Sequence, residues 1–159
     1  MRYTVLLLLL LGAGCSGSKS GNEKQFFVAA SQCNNAEPYR AAQNALMTKL
    51  FAEAGGVKLV IADGQQDNSK QVAQVETFIR QKPDLLIVAP NERAALTAIM
   101  GQAMEAKIPV ICLERDILQP NYTTYIHSDN VAIGRMAGQF IVDALTKKNF
   151  ISIANKLHF

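Results

Sequence analysis

From residue 25 onward, short apolar runs alternate with longer stretches in which apolar residues recur every three or four positions. The runs are Gln25-Phe-Phe-Val-Ala-Ala30, Val57-Lys-Leu-Val-Ile-Ala62, Leu85-Leu-Ile-Val-Ala89, Ile108-Pro-Val-Ile-Cys-Leu113 and Thr123-Thr-Tyr-Ile126. Runs this short and this rich in β-branched residues predict buried strands. Leu85–Ala89 is the most hydrophobic and is expected at the centre of the sheet.

Between the runs lie four predicted helices. Pro38–Ala54 carries Leu46, Met47, Leu50 and Phe51 on one face, and Gly55-Gly56 stops it. Asn68 or Ser69 caps the second, and Gln71 is placed for a capping box with Asn68. Val72, Val75, Phe78 and Ile79 form its stripe, and Lys82-Pro83 ends it. Asn91 caps the third, in which Leu96, Ile99, Met100, Ala103 and Met104 follow helical spacing. Asp129 caps the last, with Ile133, Met136, Ala137, Phe140, Ile141 and Leu145. Repeated strand-helix units with apolar strands imply a mostly parallel sheet covered on both faces, an α/β/α three-layer lobe.

Each predicted strand ends in a polar cluster. The clusters are Ser31, Gln32, Asn34, Asn35 and Glu37; Asp63, Gln65, Gln66, Asp67 and Asn68; Asn91, Glu92 and Arg93; Glu114, Arg115 and Asp116; and His127, Ser128, Asp129 and Asn130. In a parallel sheet all five fall on one edge, where open α/β sheets bind ligands. Helix capping accounts for Asn68, Asn91 and Asp129. It does not account for Arg115, a cation unfavourable at positive helix ends, or for Glu114, after which no helix starts. Carboxylate and guanidinium together suit a ligand with vicinal hydroxyls, because both make charge-assisted, bidentate hydrogen bonds. Tyr39, at the top of the first helix, either stacks on the C–H face of a sugar ring or packs against a loop.

The N-terminus reads as a targeting segment. Arg2 precedes the apolar Val5–Leu11, and Gly12-Ala13-Gly14 supplies small residues at a cleavage site. The apolar run is shorter than the ~20 residues that span a bilayer. Cys15 follows, then the Ser/Gly-rich residues 16–22, a flexible tether. The pattern resembles a bacterial lipoprotein signal with Cys15 as the lipidated residue, although Gly12 stands where an aliphatic residue is usual. An ordinary signal peptide with a nearby cysteine is the alternative. Removing residues 1–14 takes one of sixteen basic residues and none of the thirteen acidic ones, leaving +2. No basic stripe suggests nucleic acid. Cys15, Cys33 and Cys112 do not form a disulfide framework, and no metal or cofactor is expected. After Lys147-Lys148, residues 149–159 close on Phe159 and read as an interrupted tail. The expected organisation is a leader at 1–14, a tether at 15–24, a lobe at 25–148 and that tail.

Leu113-Glu-Arg115, Ile126-His-Ser-Asp-Asn130 and Ile133-Gly-Arg-Met-Ala-Gly138 resemble the periplasmic ribose-binding-protein family over roughly residues 25–148. The resemblance implies a type I periplasmic-binding-protein fold with flavodoxin-like strand order. It also implies that only the first of two lobes is present. The implied function is capture of a monosaccharide or related polyol by a lipid-anchored, extracytoplasmic protein for the permease subunits of an ABC importer. A sensory module feeding a receptor or kinase is the alternative.

Position by position, the family implies that Glu114 accepts from sugar hydroxyls and Arg115 binds ring or anomeric oxygens. Tyr39 would stack, Ser128 would lie at the pocket edge, and Asp129-Asn130 would start the last helix. Glu114 stands for the family's aspartate and Ala89 for an asparagine, which moves that contact to Asn91 or removes it. Glu37 stands for an asparagine, and Arg40 for a second aromatic, which suits a more polar or anionic ligand than ribose. An enzyme using Cys33 or His127 lacks a third orienting residue. A repressor of this fold would need a helix-turn-helix where the leader stands. A phosphorylatable receiver would need an aspartate at Ala89-Pro90.

Overall fold

The computed structural model describes residues 25–147. The expected leader, Cys15, the tether and the tail at 149–159 lie outside the described residues. Nine elements follow one another: β1 (Phe26–Gln32), α1 (Pro38–Ala54), β2 (Val57–Asp63), α2 (Asn68–Gln81), β3 (Leu85–Val88), α3 (Arg93–Glu105), β4 (Val110–Leu113), β5 (Thr124–Ile126) and α4 (Asn130–Lys147). The strands form one sheet in the order β2-β1-β3-β4-β5, parallel throughout. β3 is central, as its hydrophobicity predicts. This is the α/β architecture and strand order expected of the chain.

Alternation along the strands divides the core. Ala29, Leu86, Val88, Val110 and Cys112 face α2 and α3, where Val75, Phe78, Leu96, Ile99 and Met100 complete a well-buried cluster. Val28, Ala30 and Ile87 face the other way, toward Met47 and Phe51 of α1. Fully burying a side chain such as Leu96 or Met100 contributes about 1.5–3 kcal/mol. β4 begins at Val110 rather than Ile108, because Pro109 has no N–H to donate to the ladder. The Pro109 carbonyl still accepts from Leu86 N at 2.9 Å. β1 runs on through Ser31 and Gln32, which pair with Ala62 and Asp63, so two polar side chains are carried into the sheet's carboxyl edge.

The helix starts differ from the expected caps by one residue. Asp67, not Asn68 or Ser69, caps α2 by accepting from Lys70 N at 3.0 Å. Glu92, not Asn91, caps α3 by accepting from Ala94 N and Ala95 N. In both cases a carboxylate takes the positive helix end in preference to a neutral amide. Asp129 caps α4 as expected, accepting from Ala132 N at 2.9 Å. α2 ends in a left-handed Lys82 directly before Pro83.

The α1 face is less completely covered than the other. Leu46 and Leu50, expected in the α1 stripe, are exposed, and so are Ile133, Met136, Phe140 and Ile141 of α4. Met47, Leu50, Phe51, Ile87, Ile111, Leu113 and Ile126 line an open apolar groove on this face. Because Phe140 is 74 % exposed, Phe140→Gln is expected to change the unfolding free energy by less than about 0.5 kcal/mol in urea denaturation. A loss of 2 kcal/mol or more would show that this side chain is buried.

Candidate functional site

The polar edge is assembled from β1, α1, β3 and β4. β4 ends at Leu113, and the chain turns sharply at Glu114, whose φ of +64° lies in the left-handed region. A non-glycine residue there costs about 1–2 kcal/mol. Three contacts hold the turn. Glu114 N donates to Ile126 O at 2.8 Å. The Tyr125 hydroxyl donates to Glu114 O at 2.9 Å. The Cys112 thiol donates to Arg115 O at 3.1 Å.

The turn aims the Glu114 carboxylate at α1. Arg40 Nη1 lies 2.5 Å from Glu114 Oε2, and Gln43 Nε2 donates to Oε1 at 3.0 Å. Arg40 is buried, and Nη1 also donates to Gln32 Oε1 at 3.2 Å. Gln32 donates in turn to Gln43 Oε1 and Asn44 Oδ1. Three segments distant in sequence are thereby joined by one charge-assisted network. Arg40, expected to suit a more polar or anionic ligand than ribose, has its guanidinium on the Glu114 carboxylate.

Tyr39 is 61 % exposed and sits beside the pair. Its phenol hydrogen-bonds the Glu114 carboxylate; that bond, and then the carboxylate's charge, raise its pKa. The Arg40 guanidinium carbon lies 5.7 Å from the Tyr39 ring centroid. Glu37 occupies the N-cap position of α1 without capping it. Its carboxylate lies 3.4 Å from Asn34 Nδ2 and 3.8 Å from Arg40 Nε.

A second group centres on Arg115, which is exposed and donates from Nη1 to Asn91 O at 2.6 Å. Among the described residues no carboxylate pairs with it. Asn91 Nδ2 donates to Gln66 O and Asn68 Oδ1, so this amide is held by the start of α2.

Six of the eight predicted site residues thus fall into two groups: Glu37, Tyr39, Arg40 and Glu114, then Asn91 and Arg115. Ser128 and Asp129 stand apart on the exposed β5–α4 connection, where Asp129 is spent as a cap. Gln32, Gln43, Gln71 and Tyr125 went unread as site residues. Gln32 stood in the polar cluster after the first strand, and Gln43 lies one turn from Arg40 on the same helix. Ser31 Oγ and Arg40 Nε are buried at this edge without a hydrogen-bond partner. Among the described residues no cluster of His, Cys, Asp and Glu could hold a metal ion.

Cys33 and Cys112 are both buried free thiols. Burial, and then the charge of Asp116, push the Cys112 thiol up to about 11 from 9.0. Between those values the unfolded chain loses this proton and the folded chain keeps it, so the contribution falls as pH rises. Wild type is expected to lose about 2 kcal/mol more than Cys112→Ala between pH 8.5 and 11. Parallel urea titrations of the two proteins check this.

The sequence profile of the periplasmic binding protein domain family matches residues 28–156. This chain belongs to that family. It is 35% identical over 130 residues to the ribose import binding protein of Bacillus subtilis strain 168, covering 82% of this chain and 42% of the relative. It is 30% identical over 145 residues to the galactofuranose-binding protein of Escherichia coli strain K12, covering 89% of this chain and 45% of the relative. A solved structure, the fructose-binding periplasmic domain of a hybrid two-component system, superposes with a TM-score of 0.72 at 36% identity. That alignment covers 76% of this chain and 40% of the other. The chain spans less than half the length of these periplasmic binding proteins. The family match, residues 28–156, takes in the carboxyl ends of all five strands.

Proposed function

We propose that this chain is a ligand-binding lobe that captures a neutral monosaccharide or related polyol at the carboxyl edge of its sheet. The observation that carries the reading is Glu114, held in a left-handed turn with its carboxylate already charge-matched by Arg40. A matched pair leaves the pocket floor near neutral, while the second lone pairs of the carboxylate still accept from hydroxyls. Arg115 offers donors beside it, and Tyr39 offers a ring face. Asn91 and Glu37 border the two groups, and Ser128 and Asp129 flank the edge from the β5–α4 connection. The sugars named for the relatives support this class of ligand. The reading is of a binding protein, not an enzyme.

Delivery to the permease subunits of an ABC importer, with Cys15 as lipid anchor on the extracytoplasmic side, is the biological setting we propose. The fructose-binding domain of a hybrid two-component system favours a second reading, a sensor for the same ligand. A strain lacking the gene loses sugar uptake under the first. Under the second it keeps uptake and loses sugar-induced transcription.

The site is open on its outer side, so affinity for this chain alone is expected near 1 mM, about −4 kcal/mol. Titration with D-ribose, D-fructose and D-galactose is followed by amide NMR. At least one should shift the signals of Tyr39, Glu114 and Arg115. Shifts absent from that edge with all three sugars, up to roughly 100-fold above that concentration, defeat the reading.

A further inference from the structure

The chain leaves β1 toward β2 on one side and returns to β3 on the other. The crevice between the carboxyl ends of β1 and β3 is therefore the sheet's switch point, where such sheets take their ligands. Here one side chain fills its floor. Gln71, in the first turn of α2, is completely buried. Its Nε2 donates to Ala89 O at 2.9 Å and reaches Ser31 O at 3.5 Å. Its Oε1 accepts from Asn91 N at 2.8 Å.

These bonds begin where the ladder stops. The last β1–β3 pair is Ser31 with Val88, followed by Ala89 N donating to Ser31 O. Beyond it the strands part, and Pro90 contributes no N–H. The Gln71 carboxamide supplies a donor and an acceptor to the main-chain groups left over. Gly64 leaves room for this close approach, because a Cβ there would lie 3.1 Å from both Gln32 O and Cys33 O and 3.3 Å from Gln71 Cβ, tight enough to make its neighbours shift.

Asn91 thereby has its N–H on Gln71 and its side chain on Gln66 and Asn68. Its carbonyl is the acceptor for Arg115 Nη1 at 2.6 Å. We propose that Gln71 is a positioning residue: it fixes Asn91, and Asn91 sets where Arg115 presents its guanidinium at the edge. The consequence for sugar rests on the binding function proposed above. The placement of Arg115 does not.

The test uses the full chain with Gln71→Met, which keeps length and removes both hydrogen-bonding ends. The Asn91 amide is expected to exchange with deuterium about tenfold faster, the loss of one buried hydrogen bond. The Arg115 Nε–Hε NMR signal should move, while the Leu96 amide in α3 keeps its protection. Gln71→Glu should restore Asn91 protection at low pH. There the carboxyl, neutral through burial, both donates to Ala89 O and accepts from Asn91 N–H; once ionised it has no donor for Ala89 O and Ser31 O, and repulsion from these two carbonyls should push the carboxylate away from Asn91 and lower the protection again. If Gln71→Met does not fold, the pH dependence of Gln71→Glu alone decides. Unchanged Asn91 exchange and Arg115 signal overturn the proposal, as does equal deprotection of Leu96. With D-ribose as probe, Gln71→Met should weaken binding in wild type and have no further effect in Arg115→Ala. Equal weakening in both backgrounds overturns the route through Arg115. Failure of D-ribose to bind any variant counts against the binding function alone, because the exchange and Arg115 readings need no ligand.

Discussion

Arg40→Met is expected to lower the unfolding free energy by about 3 kcal/mol in urea denaturation. Arg40 is 5 % exposed, and its guanidinium sits between Gln32 and Glu114. Removing it leaves the Glu114 carboxylate, whose side chain is 24% exposed, with Gln43 as its remaining α1 side-chain donor apart from the Tyr39 phenol. Breaking a buried pair by deleting one partner costs about 3–5 kcal/mol, and partial hydration of Glu114 places this case at the low end. Gln32 is not orphaned, because its Oε1 keeps Cys33 N at 3.2 Å. The second substitution is the sharper half of the test. In Arg40→Met/Glu114→Met both charges are gone and the apolar side chains fill the same space. That double variant is expected within about 1 kcal/mol of wild type, since replacing a whole buried pair by apolar residues is often neutral. A double variant as unstable as Arg40→Met would show that the cost lies in lost packing of the arginine stem.

That pair also shows where reading the sequence stops. The parallel sheet and its central strand follow from apolar runs and helix stops, which are local signals, whereas the strand order is implied only by the family resemblance. The polar carboxyl edge follows from the same alternation, because parallel strands put all their C-terminal ends on one side. Glu114 and Arg115 could be singled out because no cap explains them. What Glu114 does with its charge could not be read. Its partners lie far away in sequence, Gln43 by 71 positions, and no pattern in one chain links them. Arg40 on its own therefore read as bait for an anion.

The misread caps and stripes have local causes. Asn91 looked like a cap because an amide before a helix usually is one, but its Nδ2 is taken by Gln66 and Asn68. Gln71 matched a capping box by spacing, yet its side chain turns inward to the gap between β1 and β3. A three-residue pattern cannot distinguish a helix-end bond from a bond to a strand that arrives eighteen positions later. Leu46 and Leu50 follow the α1 stripe faithfully and remain exposed. Helical spacing shows which residues share a face, but not how much of the sheet lies under it.

Glu114→Gln is expected to weaken sugar binding by about 10- to 100-fold and, because it leaves the buried Arg40 without its counter-charge, to lower the unfolding free energy by about 3 kcal/mol. Hydrogen bonds to a charged group contribute about 1.5–3 kcal/mol, against roughly 0.5–1.5 for neutral ones. The amide keeps the size of the carboxylate and one acceptor oxygen, but one end becomes a donor. Pointed at Arg40 Nη1 or at Gln43 Nε2, that end meets another donor, so the side chain must leave its oxygen with Arg40 and turn its NH2 toward the ligand. Two hydroxyls of a sugar that both donate to the carboxylate then face one donor and one occupied acceptor. Arg40 meanwhile loses its counter-charge, and the floor of the site becomes cationic. A sugar acid such as D-gluconate is therefore expected to gain on D-ribose in this variant, reversing the order in wild type. The measurement is the initial slope of the Arg115 and Tyr39 amide shifts in parallel titrations, since near-millimolar binding makes full saturation unnecessary. Unchanged slopes for D-ribose in Glu114→Gln would remove the carboxylate from the binding site and leave it a structural tie between α1 and β4.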